Sequence, residues 1–226
     1  MTRVAIHDVL AELPAPDRLR DLSKALAVLD IILCPDDDFE DRYFRFEPAG
    51  VGGMALASME NGSGDLYFIA FDDEATFAWG FAHESAMTPY VLDPIRVWPG
   101  VLDGVPPQFE YLLQQPRFML DGTFLASTAL WSDRGETWRA GPSDPPADDE
   151  DADGARLLFE LLLDDRPEAF VAFAEEYYER HVDPDVVRAI YEMQPLAPHL
   201  VRGISPDADV SKVMSRAGET TYALAQ

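Results

Sequence analysis

The sequence of 226 residues is almost without cysteine, since Cys34 is the single one. One cysteine excludes an intrachain disulfide and a four-cysteine zinc site. Cys34 also follows a predicted helix, and carboxylates come directly after it at Asp36, Asp37, Asp38, Glu40 and Asp41. A helix C-terminus and nearby carboxylates both favour the protonated thiol, so the sequence indicates that Cys34 is not a catalytic residue.

Positive charge is the second shortage. Lysine and arginine together number 17 against 42 aspartates and glutamates, so 17 − 42 leaves a formal net charge of −25. This balance opposes binding to nucleic acid, whose phosphates need a basic surface. It would speed association with a basic protein, which we expect as the partner. The alternative, that the charge serves only solubility, stays open.

A long apolar segment is also lacking. No stretch reaches the roughly 18 uncharged apolar residues that a membrane helix needs. Near the start, Asp8 stands where a signal peptide would have its apolar stretch. We therefore expect a cytoplasmic protein without a membrane partner, whose oligomeric state the sequence leaves open.

The apolar residues that are present suffice for a core, at 47% hydrophobic and 11% aromatic. A chain of this length buries about 70% of its unfolded surface, so it needs no metal or disulfide to fold. Leu19, Leu22, Leu26 and Leu29 recur at spacings of three and four, which predicts a helix over residues 17–33.

Six segments after this helix have the alternating or continuous apolar pattern of strands. In the first of them, Phe44 and Phe46 are predicted on one face and Arg45 on the other. We expect the six to form one antiparallel sheet, because they follow one another as a meander. They are residues 43–46, 54–59, 66–71, 76–83, 123–131 and 137–139.

The last third of the chain is predicted to be helical. Helices are expected over residues 155–163, 167–180 and 183–193, with a short one near residues 196–201. Strands grouped before helices indicate an α+β fold, here an antiparallel sheet of about six strands preceded by one helix and followed by three or four. We predict a single domain over residues 1–226, with a sheet region at 42–140, an acidic loop at 141–154 and a helical C-terminal region at 155–204.

One segment matches the calcium-loop pattern D-x-D-x-D-G-x₅-E, with Asp149, Asp151, Asp153 and Glu160 as candidate ligands. Carboxylates at alternate positions can surround one cation. However, three prolines precede the loop where a calcium hand has its entering helix. The alternative, which the sequence favours, is a solvated acidic loop in which Asp153 caps the next helix. No metal and no cofactor are therefore predicted.

The most distinctive polar cluster is His83-Glu84-Ser85, at the end of the fourth predicted strand. If that strand stays regular, His83 continues its aromatic face and could line a pocket as a general base. Asp65 or Tyr67 would lie near the same pocket. The alternative is that His83 packs at the sheet edge. Because no G-x-S-x-G or H-E-x-x-H motif is present, His83 and Glu84 stay candidates and no catalytic residue is assigned.

Several segments resemble a group of uncharacterised bacterial proteins: NGSGDLYFI at residues 61–69, GFAHES at 80–85, WPG at 98–100 and FAEEYYE at 173–179. The resemblance spans about residues 43–206. Since no activity is known for that group, it implies no catalytic residues. The chain is also similar to acidic bacterial immunity proteins that flank an antiparallel sheet with helices, a similarity that rests on analogy.

From these observations we predict a non-enzymatic binding protein of immunity or regulatory type. Two alternatives stay open: an enzyme of unknown reaction near His83 and Glu84, and a calcium-binding module through residues 149–160. In the leading hypothesis the excess carboxylates lie in solvent and do not converge on a reactive centre.

Overall fold

The computed structural model describes residues 5–133, 137–146 and 149–225. The fold is α+β with a six-stranded antiparallel sheet, which confirms the predicted class. Residues 147 and 148 of the predicted acidic loop lie outside the described residues. In the described ranges, no helix is both long and apolar enough to cross a bilayer.

The strands and helices follow the chain in the predicted grouping. The strands are β1 (Phe44–Glu47), β2 (Ala55–Glu60), β3 (Leu66–Phe71), β4 (Ala75–Phe81), β5 (Met119–Leu120), β6 (Thr123–Phe124), β7 (Thr128–Asp133) and β8 (Arg139–Ala140). The α-helices are α1 (Ala5–Glu12), α2 (Pro16–Leu33), α3 (Ala155–Leu158), α4 (Glu160–Leu163), α5 (Pro167–Tyr177), α6 (Pro184–Tyr191), α7 (Pro198–Ile204) and α8 (Val210–Glu219). The structure thus adds α1 and α8 to the predicted helices and divides the helix predicted over residues 155–163 into α3 and α4 at Phe159.

Contacts within the chain group it into two compact units. The first unit comprises Met1–Pro16 and Glu60–Leu163, and the second comprises Asp17–Met59 and Asp164–Gln226. Each unit is therefore built from two segments that are distant in the sequence. The single domain stays a prediction.

In the first unit, β3, β4, β7 and β8 are antiparallel neighbours in that order. The continuous apolar run of β3 predicts a strand covered on both faces, and the structure confirms it. Tyr67 contacts the ring of Phe159, while Phe68, which points to the other face, contacts Phe118.

Two predicted strands are longer than the observed ones. The predicted strand over residues 123–131 is interrupted between β6 and β7, because Ser127 bonds to other segments. Its hydroxyl accepts a hydrogen bond from the Ala82 N–H at 3.0 Å and donates to the Asp153 carbonyl at 2.8 Å. The predicted strand over residues 76–83 ends at Phe81, so His83 lies in the following turn and does not continue the aromatic face.

In the second unit, β1 pairs antiparallel with β2, with Phe44 opposite Met59. The predicted leucine stripe of α2 is buried, as its spacing requires. The helices α5 and α6, α6 and α7, and α7 and α8 are in contact along the chain. The fully buried stripe residues of α2 are Leu19, Leu22, Leu26 and Leu29.

Candidate functional site

The strand register of the first unit places His83 next to Asp65. Leu66, the first residue of β3, pairs with Phe81, the last residue of β4, so the residues just beyond them lie at the same end of the sheet. Asp65 Oδ1 lies 2.8 Å from His83 Nδ1 and accepts a hydrogen bond from the His83 backbone N–H at 2.9 Å. The structure thus brings together His83 and Asp65, which the sequence proposes for one pocket.

Asp65 is held as a carboxylate. Burial raises its pKa, but hydrogen bonds from His83 and from the Asn61 side chain, the latter at 2.8 Å, lower it by more, so the pKa of Asp65 lies below its usual value. A carboxylate on Nδ1 orients an imidazole so that Nε2 can act as a base.

The arrangement around His83 Nε2 does not complete a catalytic site. The nearest charged group is Glu84 Oε1, at 3.7 Å, on a side chain that is 88% exposed. Over the described ranges, no hydroxyl or thiol forms a hydrogen bond with the His83 ring. Tyr67 is buried against Phe159. In this turn Asp65 orients the imidazole of His83, but no nucleophile is hydrogen-bonded to the ring. Catalysis at His83 therefore stays a prediction.

The carboxylates of the predicted calcium loop bind backbone amides. Asp149 accepts a hydrogen bond from the Asp151 N–H at 3.0 Å, and Asp151 accepts from the N–H groups of Arg156 and Leu157 at 3.0 and 3.1 Å. Glu160 is exposed in α4. Of the residues that the structure describes, no group of three or more His, Cys, Asp or Glu side chains is placed to hold a metal ion. Calcium binding gains no support and stays a prediction.

Asp153 departs from the expectation of a solvated acidic loop, because only 1% of it is exposed. Its Oδ1 accepts a hydrogen bond from the Ala155 N–H at 3.1 Å, and its Oδ2 accepts from the Ile6 N–H at 3.2 Å. Burial raises the pKa of Asp153 to about 6. The expected solvent exposure is therefore wrong for this residue, whereas the expected contact with the start of the next helix is present. The carboxylate joins the first turns of α1 and α3.

The sequence analysis missed a pocket that lies in the second unit, which we call the arginine pocket. Its volume is about 250 Å³. Three of its lining side chains are arginines, Arg42, Arg45 and Arg216, in a chain whose formal charge is −25. Most of the other lining residues are apolar: Ala27, Ile31, Phe39, Phe44 and Phe46.

The geometry of β1 explains how residues with opposite predicted faces share this pocket. Phe44, Arg45 and Phe46 are consecutive in the strand, so their side chains alternate between its two faces. β1 is also the terminal strand of the sheet. Because all three residues line the pocket, the pocket follows the outer edge of β1. From the sequence, the alternation predicts that Arg45 lies apart from Phe44 and Phe46. In the structure, all three line one pocket at the edge of the strand.

A buried network fixes Arg42. Its side chain is 4% exposed, and it donates to Asp30 Oδ1 at 3.0 Å and to the Asp37 carbonyl at 3.0 Å. Asp30 also accepts hydrogen bonds from the Phe44 N–H at 3.1 Å and from the Tyr178 hydroxyl at 2.7 Å. Burial raises the pKa of Asp30, and these donors oppose the rise. Charge pairing thus holds the guanidinium of Arg42 in one orientation.

The other two arginines approach from different segments. Arg216, in α8, donates to the same Asp37 carbonyl as Arg42 does. Because that acceptor is neutral, it leaves the positive charge of Arg216 in the pocket. Arg45 donates to Ser58 Oγ at 3.2 Å, and its guanidinium lies over the Phe39 ring, 5.8 Å from the ring centroid.

Part of this site has a signal in the sequence. Arg42 and Arg45 directly follow an acidic segment and are interleaved with Tyr43 and Phe44. In a chain with a large negative charge, arginines next to aromatic residues indicate guanidinium groups that pair with carboxylates or stack on rings within the fold. Arg216 comes from the far end of the chain, so only the fold connects it with them.

Comparison of the chain with protein-family models, with curated proteins and with solved structures found no match. The resemblance to uncharacterised bacterial proteins and the analogy with immunity proteins therefore stay predictions from the sequence. The structure adds one observation to these predictions, which is the pocket lined by three arginines and several aromatic residues.

Proposed function

We propose that this protein is a non-enzymatic binding protein whose ligand or partner places an anionic group in the arginine pocket. The observation that carries the proposal is the convergence of Arg42, Arg45 and Arg216 on one pocket of about 250 Å³. Guanidinium groups keep their charge, are weakly hydrated and offer forked donors that match carboxylate and phosphate oxygens. An anion is the ligand that such a lining recognises.

The polar groups of this region favour binding over catalysis. Arginine stays protonated in proteins, so it does not exchange protons near neutral pH. Thr220 Oγ1, also in the lining, donates to the Ala217 carbonyl at 2.7 Å. In the same unit, burial and the neighbouring Asp30 and Asp37 raise the pKa of Cys34 to about 11, which keeps the thiol protonated, as the sequence predicts.

Calorimetric titration of the full chain with acetate, benzoate and inorganic phosphate tests the proposal. At least one of these anions should bind saturably. Arg216→Ala should weaken that binding by about tenfold or more, because a hydrogen bond to a charged group contributes about 1.5–3 kcal/mol. Arg202→Ala, which removes an exposed arginine of α7 in the same unit, is the matched control. The proposal fails if no anion binds, or if both variants lose affinity equally.

A basic protein as partner and a cytoplasmic location are kept as further proposals. The basic partner is supported by the net charge of −25 and by the exposed carboxylates of Glu175 and Glu176 in the last turn of α5 and of Glu179 just beyond it. Such an association should weaken as salt rises, because exposed charges are screened. Capture from bacterial lysate at low salt should return basic proteins that a salt gradient releases, and an empty eluate would count against this partner.

A further inference from the structure

The volume of the arginine pocket restricts the size of its ligand. A cavity of about 150 Å³ holds a benzene molecule, and drug-sized ligands occupy about 300–1,000 Å³. At about 250 Å³ the pocket lies between these values. The volume therefore restricts the occupant to about the size of a single ring with a small substituent.

The guanidinium groups of Arg42 and Arg216 are oriented side by side, where they can bind a polar substituent of the ligand. The Asp37 carbonyl accepts hydrogen bonds from both Arg42 and Arg216, so the two groups lie side by side. Because these contacts within the chain orient both side chains, they reduce the entropy cost of ordering the two guanidinium groups on binding. Two neighbouring guanidinium forks suit a substituent with two equivalent oxygens.

The apolar part of the lining suits a flat ring. Three of the residues that line the pocket, Phe39, Phe44 and Phe46, are aromatic, and aromatic rings pack favourably against one another in offset or edge-on contacts. Phe39 is 42% exposed, although it is a large apolar side chain. A bound ring would cover it and remove apolar surface from water.

The net charge of the chain favours a monoanion over a dianion as the ligand. At −25, that charge repels a dianion twice as strongly as a monoanion. A carboxylate carries one charge at neutral pH, whereas a phosphate monoester carries about 1.5 to 2.

We infer that the arginine pocket binds a small aromatic carboxylate, with the carboxylate against Arg42 and Arg216 and the ring against Phe39. The inference rests on the proposed function, because it names the ligand class of the same pocket.

Calorimetric titration of the full chain with benzoate, acetate, phenyl phosphate and benzyl alcohol tests this ligand class. Benzoate should bind at least about tenfold more tightly than acetate, because its ring buries apolar surface. It should also bind more tightly than phenyl phosphate, and benzyl alcohol, which has the ring without the charge, should show no saturable binding.

Two variants separate the contributions of charge and ring. Arg216→Ala should weaken the binding of benzoate and of acetate by about tenfold or more. Phe39→Ala should weaken benzoate but leave acetate unchanged, since acetate has no ring. Phe39 is exposed enough for its replacement to leave the core intact, and Arg202→Ala again serves as the control for charge alone.

The outcomes distinguish this inference from the proposed function. Equal affinities for benzoate and acetate would overturn the aromatic class and leave anion binding in place. Tighter binding of phenyl phosphate than of benzoate would overturn the carboxylate. Failure of every anion to bind would overturn both the ligand class and the proposed function.

Discussion

Among the described residues, each unit buries one aspartate, and the two are held in different ways. Asp30 in the second unit accepts hydrogen bonds from Arg42, Phe44 and Tyr178. Asp153 in the first unit accepts from the backbone N–H groups of Ile6 and Ala155 and from the Thr128 hydroxyl, and no cation of the described residues pairs with it. The same side chain, with the same exposure of 1%, thus has a countercharge in one unit and none in the other.

The difference shows what a buried carboxylate can do for a fold. A buried charge needs a partner, or it shifts its pKa towards the neutral form. Paired with Arg42, Asp30 fixes a cation beside a pocket. Without a cation, Asp153 has a pKa raised to about 6, so its contribution to stability depends on pH in the near-neutral range. The burial of Asp30 orients an arginine of the arginine pocket, and the burial of Asp153 makes the junction of α1 and α3 depend on pH.

The largest effect is expected from Asp30→Asn, which leaves the buried guanidinium of Arg42 without a countercharge. Breaking a buried ion pair costs about 3–5 kcal/mol of unfolding free energy. Urea denaturation at pH 7 measures the loss. Asp38→Asn, at an exposed site of the same unit, should change the stability by less than about 0.5 kcal/mol. A loss below about 1 kcal/mol in Asp30→Asn would mean that the pair does not hold Arg42 as described.

The pH dependence of Asp153 is the second effect. An unfolded aspartate titrates near pH 3.9 and the folded one at about 6, so between these values the folded state binds more protons. The contribution of Asp153 to stability is therefore greatest below about pH 4 and is lost as the pH rises through 6, by about 3 kcal/mol in total.

Comparison of the wild type with Asp153→Asn separates the pH-dependent contribution of Asp153 from that of the other carboxylates. Between pH 5 and pH 7 the wild type should lose about 1 kcal/mol of unfolding free energy relative to the variant. Asp149→Asn, at an exposed position of the same loop, should follow the wild type. Parallel pH profiles of wild type and Asp153→Asn would contradict the raised pKa.

A smaller effect is expected from Tyr178→Phe. Burial raises the pKa of Tyr178, so the hydroxyl keeps its proton and donates to Asp30 at 2.7 Å. Losing this donor should cost about 1.5 kcal/mol in chemical denaturation. The adjacent Tyr177 is 48% exposed, and Tyr177→Phe should cost less than about 0.5 kcal/mol. Equal losses in the two variants would show that the hydroxyl does not support the network.

The smallest effect concerns Asp65, whose pKa is shifted in the opposite direction to that of Asp153. Because its folded-state pKa is lowered, Asp65 contributes stability above its ordinary titration range and loses it as the pH falls through the folded pKa. A partly exposed pair is worth at most about 1 kcal/mol. Denaturation at pH 3 and pH 6 should show that Asp65→Asn loses more stability at pH 6 than at pH 3, with Asp73→Asn in the next turn unchanged. An equal deficit at both pH values would contradict this assignment.

The helices and strands that have many regularly spaced or consecutive apolar residues could be predicted from the sequence. The six-residue apolar run of β3 predicts its observed bounds, Leu66–Phe71, because a strand covered on both faces needs no polar alternation. The leucine stripe predicts α2 to within one residue of its observed start at Pro16. By contrast, α8 buries only Val213 and Ala217, too few apolar positions to stand out.

The candidate site depends on partners that no local pattern connects. Asp30 lies within the leucine-rich helix, and its partners Arg42 and Tyr178 are 12 and 148 residues away in the sequence. Asp153 belongs to an acidic run whose composition predicts solvent, yet its partner Ile6 is 147 residues away. Composition describes the average environment of a residue type, whereas burial of a single carboxylate is decided by long-range contacts.

An NMR titration of the isotope-labelled full chain with benzoate tests anion binding in the second unit most directly, because every backbone amide reports on its own surroundings. The largest saturable shifts are predicted at Phe39, Arg42 and Thr220, which line the arginine pocket, while His83 and Asp153 in the first unit keep their positions. Shifts centred on His83, or no saturable shift at the pocket, would contradict the assignment of this protein as an anion-binding one.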